Sequence, residues 1–173
     1  EAEVRRAGGE PRRLGKDPGG RGGVEVRQRM PDAAVSAISR LPGVAFVLDE
    51  VVVRLTGGHV NYAVMSAESD LEIRRSRLEM TDAGGMNVGI SANHGSIRVT
   101  DTTVIADDIA IEVNLFDDLY ISGSQLRATL RAVRSGAAHP IVIVDSVLGG
   151  YLDLLVPATC SAVVDTSYAP VSC

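Results

Sequence analysis

Residues 69–80 run SDLEIRRSRLEM: two apolar residues two apart, Leu71 and Ile73, a polar trio ending in Ser76, then Leu78. Side chains alternate between the faces of a strand, so Leu71 and Ile73 share one face. The same arrangement, apolar-x-apolar-x-x-Ser/Thr-x-apolar, returns three times. It recurs as Ile97, Val99, Thr102 and Val104; as Leu119, Ile121, Ser124 and Leu126; and as Ile141, Ile143, Ser146 and Leu148. The starts lie 26, 22 and 22 residues apart, and a looser copy begins at Val44 with Asp49 in the hydroxyl position.

A fixed period of this length is the signature of a solenoid. The first apolar pair faces inward, small or polar residues such as Arg75–Ser76 turn a corner, and the next apolar residue starts another inward-facing strand. One period later the chain returns one layer up, about 4.8 Å away. The spacing predicts an all-β right-handed parallel β-helix of about five coils over residues 31–150. Leu71, Ile97, Leu119 and Ile141 form one inner ladder in this reading, and Ile73, Val99, Ile121 and Ile143 another. Ser76, Thr102, Ser124 and Ser146 stack at a corner. Val60, Tyr62 and Val64, then Met86, Val88 and Ile90, then Ile109, Ile111 and Val113 supply a further face. Pro31–Leu41 reads either as a short helix with Asp32 as N-cap or as the first coil's strand. An antiparallel sandwich would also give many short strands, but it does not require this inward pattern at a constant period.

The bulk composition agrees. Of the 173 residues 45% are hydrophobic, yet only 3% are aromatic and none is Trp, which suits thin layers filled by aliphatic side chains. A net charge of −5 argues against nucleic acid as a partner, since phosphate binding needs a basic face. No apolar run is long enough for a membrane-spanning helix. Residues 1–30 are rich in Arg and Gly and lack the apolar segment of a signal peptide, so a flexible, disordered or loosely packed tail is expected there. The two cysteines, Cys160 and Cys173, have no His or third Cys beside them. A disulfide stapling a C-terminal cap over residues 151–173, in an oxidising compartment, is the expectation; a reduced pair is the alternative.

The LxIxxSxL units over about residues 44–150 resemble the coils of bacterial secreted proteins of the pectate-lyase-like superfamily, and CSAVVDTSYAPVSC resembles the Cys-containing tail that closes some of them. Sixteen Arg against one Lys is consistent with a GC-rich bacterial genome. The resemblance implies a secreted or cell-surface location but no single activity, because lyases, hydrolases, tailspikes and adhesins share the fold.

Several segments are candidate sites. ADDIAIEVN, residues 106–114, resembles the paired-Asp segment of polygalacturonases, which implies Asp107 and Asp108 as general acid and water activator. The Asn-Thr-Asp and Arg-Ile-Lys elements of those enzymes are missing, and NHG at residues 93–95 precedes the Asp pair instead of following it. Asp107, Asp108, Asp117 and Asp118 are a conceivable Ca²⁺ set, at a spacing that matches no known loop. His59, His94 and His139 follow no ligand spacing, and no Ser sits in Gly-x-Ser-x-Gly. The outward positions of the motif strand carry no Thr array, which removes ice binding. Val142 and Val144, outward on the last coil, call for a cover that residues 151–164 would supply. The expectation is therefore a non-catalytic scaffold or recognition module without a cofactor or metal, with glycan or cell-surface partners meeting residues 56–61 and 82–87. Homo-oligomerisation stays open, and a polysaccharide lyase or hydrolase using Asp107 and Asp108 is the alternative.

Overall fold

Leu71 stands beside Ile97, Ile97 beside Leu119, and Leu119 beside Ile141, in one column of adjacent parallel strands. The computed structural model describes residues 24–29, 34–40, 45–56, 60–81 and 85–173. Among them it is all-β, without a helix: a parallel β-solenoid of about five turns.

The strands are β1 (Val24–Arg29), β2 (Ala34–Arg40), β3 (Phe46–Asp49), β4 (Val51–Thr56), β5 (Val60–Ala67), β6 (Leu71–Arg74), β7 (Arg77–Thr81), β8 (Met86–Asn93) and β9 (Ser96–Thr100). They continue as β10 (Thr103–Ala106), β11 (Ile109–Asn114), β12 (Asp118–Ser122), β13 (Gln125–Ser135), β14 (Ile141–Val144), β15 (Val147–Asp153), β16 (Thr159–Ser161) and β17 (Val164–Asp165). The first face is the six-stranded sheet β3-β6-β9-β12-β14-β16. The second face runs β1-β4-β7-β10 and the third β2-β5-β8-β11. They join into one sheet because β13 turns the corner unbroken, pairing β10 through Gln125–Ala128 and β11 through Arg131–Ser135.

Three ladders explain why the chain winds. Leu48, Ile73, Val99, Ile121 and Ile143 stack at the centre of the first face, all at most 7% exposed. Each such aliphatic contributes about 1.5–3 kcal/mol by leaving water. On the third face Ala63, Gly89, Ala110 and Ala132 form a row of small buried residues that the second face approaches closely. A Cβ on Gly89 would lie 2.3 Å from Val104 Cγ1 and 2.4 Å from the Ala110 carbonyl oxygen.

The corner between the first and second faces is built by a left-handed residue, followed by a hydroxyl in every layer after that of Glu50. Glu50, Arg75, Asp101, Gly123 and Asp145 have φ of 55°, 48°, 48°, 57° and 47°. The next residue, Ser76, Thr102, Ser124 or Ser146, is at most 5% exposed. Each of these hydroxyls donates to the carbonyl two residues back at 2.7–2.8 Å. Each also accepts a backbone N–H from the layer below, that of Val51, Ser76, Thr102 or Ser124 respectively, at 3.1–3.3 Å. The sharp corner thus keeps the N–H groups of Val51, Ser76, Thr102 and Ser124 paired.

Four expectations change. The first coil copy is shifted by two: Phe46 and Leu48 pair with Leu71 and Ile73, while Asp49 pairs with Arg74 and does not fill the hydroxyl position. Ala34–Arg40 is strand β2 against β5, not a helix, because ladder bonds to a neighbouring layer outweigh weak local helix propensity. Val24–Arg29, placed with the tail, forms β1 on β4, so the solenoid starts before residue 31; residues 1–23 lie outside the described residues. The C-terminal segment does not fold back over Val142 and Val144. It adds a layer at the end, β16 on β14 and β17 on β15, with Cys160 and Cys173 joined as a disulfide.

Candidate functional site

Asp107 and Asp108 turn the corner between β10 and β11, and both carboxylates reach down one layer to Asn87. The Asn87 N–H donates to Asp108 Oδ2 at 2.8 Å, and its Nδ2 donates to Asp107 Oδ2 at 3.1 Å. Asn87 is 0% exposed and accepts at Oδ1 from Asn61 Nδ2, 2.9 Å away. The backbone carbonyl oxygens of Asp107 and Asp108 in turn accept the N–H groups of Thr129 and Arg131 from the layer above, at 3.1 and 2.9 Å. The pair is a clasp between layers. Two half-buried carboxylates already holding N–H donors are poorly placed to carry a proton to a glycosidic oxygen or activate a water, as that chemistry needs them facing each other across a substrate. The clasp partner was readable but overlooked: Asn61 and Asn87 are 26 residues apart, the spacing of Leu71 and Ile97.

Asp117 and Asp118 sit at the other end of β11, at the corner between the third and first faces. Six strand residues separate them from Asp107 and Asp108, about 20 Å. The four carboxylates therefore do not converge, and among the described residues no three His, Cys, Asp or Glu side chains form a group that could hold a metal ion. The Ca²⁺ arrangement is overturned by this separation.

At that second corner an open depression of about 470 Å³ is lined by Glu68, Ser69, Asp70, His94 and Asp117. Glu68 and His94 are its left-handed residues, with φ of 54° and 61°. Asp70 and Ser69 serve the turn: Asp70 Oδ1 accepts the Ser96 N–H at 2.9 Å, and the Ser66 and Ser69 hydroxyls lie 3.0 Å apart. One layer up the corner is a residue longer, and Phe116, 0% exposed, fills the space edge-on to His139 at 5.5 Å. His139 is thus a packing partner, His94 an exposed corner residue, and His59 lies outside the described residues.

The outer side of the first face carries the charge. Asp49 receives Arg75 Nε at 2.9 Å and Arg74 Nε at 3.1 Å. Desolvation raises its pKa, but the Arg75 hydrogen bond and the charges of both arginines outweigh this and hold the carboxyl below its ordinary value. Higher on the face Arg98 lies over the Tyr120 ring at 5.8 Å, with Asp118 Oδ2 at 3.9 Å. Of the two expected ligand loops, residues 57–59 and 82–84 lie outside the described residues. Their flanks divide sharply: Asn61 and Asn87 are buried in the clasp, whereas Thr56 and Met86 are exposed.

Comparison of the chain with protein-family models, curated proteins and solved structures found no match.

Proposed function

We propose that this chain is a non-catalytic, secreted or cell-surface scaffold or recognition module, glycan-binding or adhesin-like, and akin to bacterial pectate-lyase-like solenoids. The observation that carries the reading is the clasp at Asn87. The one paired-acid segment that resembles a catalytic element has its carboxylates committed to holding two layers together. A stiff column with hydrogen-bonded corners suits the display of surface groups at fixed 4.8 Å intervals better than closure round a substrate. The Cys160–Cys173 disulfide is compatible with an extracellular location, where such bonds persist.

The ligand-facing surface in this reading is formed by residues 56–61 and 82–87, of which Thr56 and Met86 are exposed. A glycan array probed with the labelled full chain tests it, run beside a polyuronate panel assayed for reducing ends and unsaturated products with and without Ca²⁺. Array binding with a blank panel supports the module. Product release abolished by Asp108→Asn would replace it with the hydrolase or lyase reading, and stable oligomers with neither activity would indicate a purely structural shell component.

A further inference from the structure

The C-terminal end of the solenoid is closed unevenly. On the second face β17 covers β15 at Val147 and Leu148, and the chain then doubles back: the Asp165 N–H donates to the Ala169 carbonyl at 2.8 Å and the Val171 N–H to that of Val163 at 3.0 Å. On the first face β16 covers β14 and is tied down by the disulfide. On the third face the last strand is the second half of β15, Tyr151–Asp153. Its ladder runs only to β13 among the described residues, through Tyr151↔Arg131, Leu152↔Val133 and Asp153↔Arg134. Among the described residues the outer backbone edge of these three, about 10 Å long, has no ladder partner.

The side chains around this edge are arranged like the top of an unfinished ladder. Leu152 continues the inward column of the buried Val133, and with Leu154, Leu155, Val156 and Pro157 it lines an open pocket of about 290 Å³ that Ser172 and Cys173 border on one side. Tyr151 and Asp153 face outward. In the outer row the charges alternate Glu112, Arg134, Asp153, with Arg134 Nη1 2.9 Å from Glu112. Asp153 ends this row, with Arg131 Nε beside it at 2.7 Å. The position that would follow is complementary to a cation on the outside and to an aliphatic side chain on the inside.

We propose that Tyr151–Asp153 is a strand-addition site for a short extended peptide. The peptide lies parallel to β15, as every strand of this face does, with an aliphatic residue over Leu152 and, next in its sequence, an arginine or lysine over Asp153. Main-chain hydrogen bonds to the open edge supply the attachment, and the pocket and the carboxylate supply the selectivity. The occupant is a single strand and not a folded partner or a second copy. A stable folded interface needs about 800 Å² from each partner, far more than three edge residues and one pocket offer. The doubled-back segment after β17 also stands where the next layer of a second solenoid would have to lie. This site is independent of the glycan reading, so a blank glycan array leaves it untouched.

The test is fluorescence anisotropy with the full chain and a labelled octapeptide, Thr-Ser-Val-Leu-Arg-Val-Thr-Ser. Saturable binding is expected, weakened at least tenfold when the peptide arginine is replaced by glutamate. A similar loss is expected when two successive peptide amides at the Leu-Arg pair are N-methylated, one of which must face the edge. Asp153→Lys is expected to reverse the preference between the arginine and glutamate peptides, and Leu155→Glu, at a position 65% exposed, to weaken both. No anisotropy change at about 1 mM peptide, where even a −4 kcal/mol binder is half bound, overturns the proposal. So does indifference to N-methylation, an unaltered preference in Asp153→Lys, or light scattering that shows this edge occupied by a second copy.

Discussion

The hydroxyl of Ser124 accepts the backbone N–H of Thr102 at 3.2 Å while donating to its own chain at the Ser122 carbonyl, 2.8 Å away. Ser124 thus satisfies a buried donor of the neighbouring layer that the left-handed corner has turned away from the ladder. Ser124→Ala is expected to leave that N–H unpaired and to cost about 1–3 kcal/mol. Ser124→Thr keeps the hydroxyl and costs less. Urea denaturation of the two variants beside the parent checks the ranking, and equal midpoints would refute the role of the hydroxyl.

Gly89 is placed by space and not by backbone conformation. The nearest atoms to a Cβ there are Val104 Cγ1, on the second face, and the Ala110 carbonyl oxygen, one layer up on the same face as Gly89. Gly89→Ala should therefore push two faces apart and destabilise by about 1–3 kcal/mol, whereas Ala is ordinarily the better residue in an extended or helical backbone. A thermal midpoint unchanged or raised in the alanine variant would be incompatible with this close approach.

For Asp108→Asn the expectation is a loss of stability, since the amide can present its NH₂ to the Asn87 N–H in place of an accepting oxygen and has no charge to strengthen the bond. Hydrogen exchange should quicken at Asn87, held by the Asp108 carboxylate, and at Arg131, held by the Asp108 carbonyl. An unaltered exchange pattern in both places would mean that the clasp contributes nothing.

Acid should loosen the ends and the outer face before the core. The Ser167 hydroxyl, the Ala169 N–H and the Ser167 N–H all donate to Asp165 and hold its carboxyl below its ordinary value of 3.8. Glu79 is lowered too: desolvation raises it, but the hydrogen bonds from Arg54, at 2.6 Å, and Arg77 prevail. A carboxyl with a depressed folded pKa adds stability that is present above its unfolded pKa and is lost as pH falls through the folded value. Stability should hold from neutral pH down to about pH 4 and decline below it. Asp165→Asn should flatten that decline; a titration in which the variant loses stability as steeply as the parent would contradict the assignment.

Reduction should act on one layer only. Cys160 lies in register with Ile143, and its bond to Cys173 spans 13 residues with Cα atoms 5.9 Å apart. A cross-link closing a loop of this size contributes about 3 kcal/mol by restricting the unfolded chain. Dithiothreitol is expected to raise hydrogen exchange across residues 159–173 and to leave β6, β9 and β12 protected. Uniform loss of protection would show instead that the whole solenoid depends on the staple.

The period was legible because every turn repeats one local requirement: aliphatic pairs inward, then a small or polar corner. Leu71, Ile97, Leu119 and Ile141 display it at nearly constant spacing, and no knowledge of distant contacts is needed to find it. The first copy was misplaced by two residues because VAFVLDEV offers several apolar pairs, and only ladder pairing selects Phe46 and Leu48. Pro31–Leu41 was ambiguous for the same reason, since a short apolar run fits a helix or a strand until a neighbouring layer claims its backbone.

The amino-acid order alone was enough to establish a stacked, parallel, aliphatic core and the inward rows that fill it, because those depend on alternation and period. Which polar groups spend themselves on structure was settled only by the folded arrangement. Asp107 and Asp108 are 20 and 21 residues from Asn87 along the chain and a single layer from it in space, and nothing local marks them as bonded. The open edge at Tyr151–Asp153 is of the same kind. It exists because the terminal segment covers two faces and passes by the third, a property of where strands end in three dimensions.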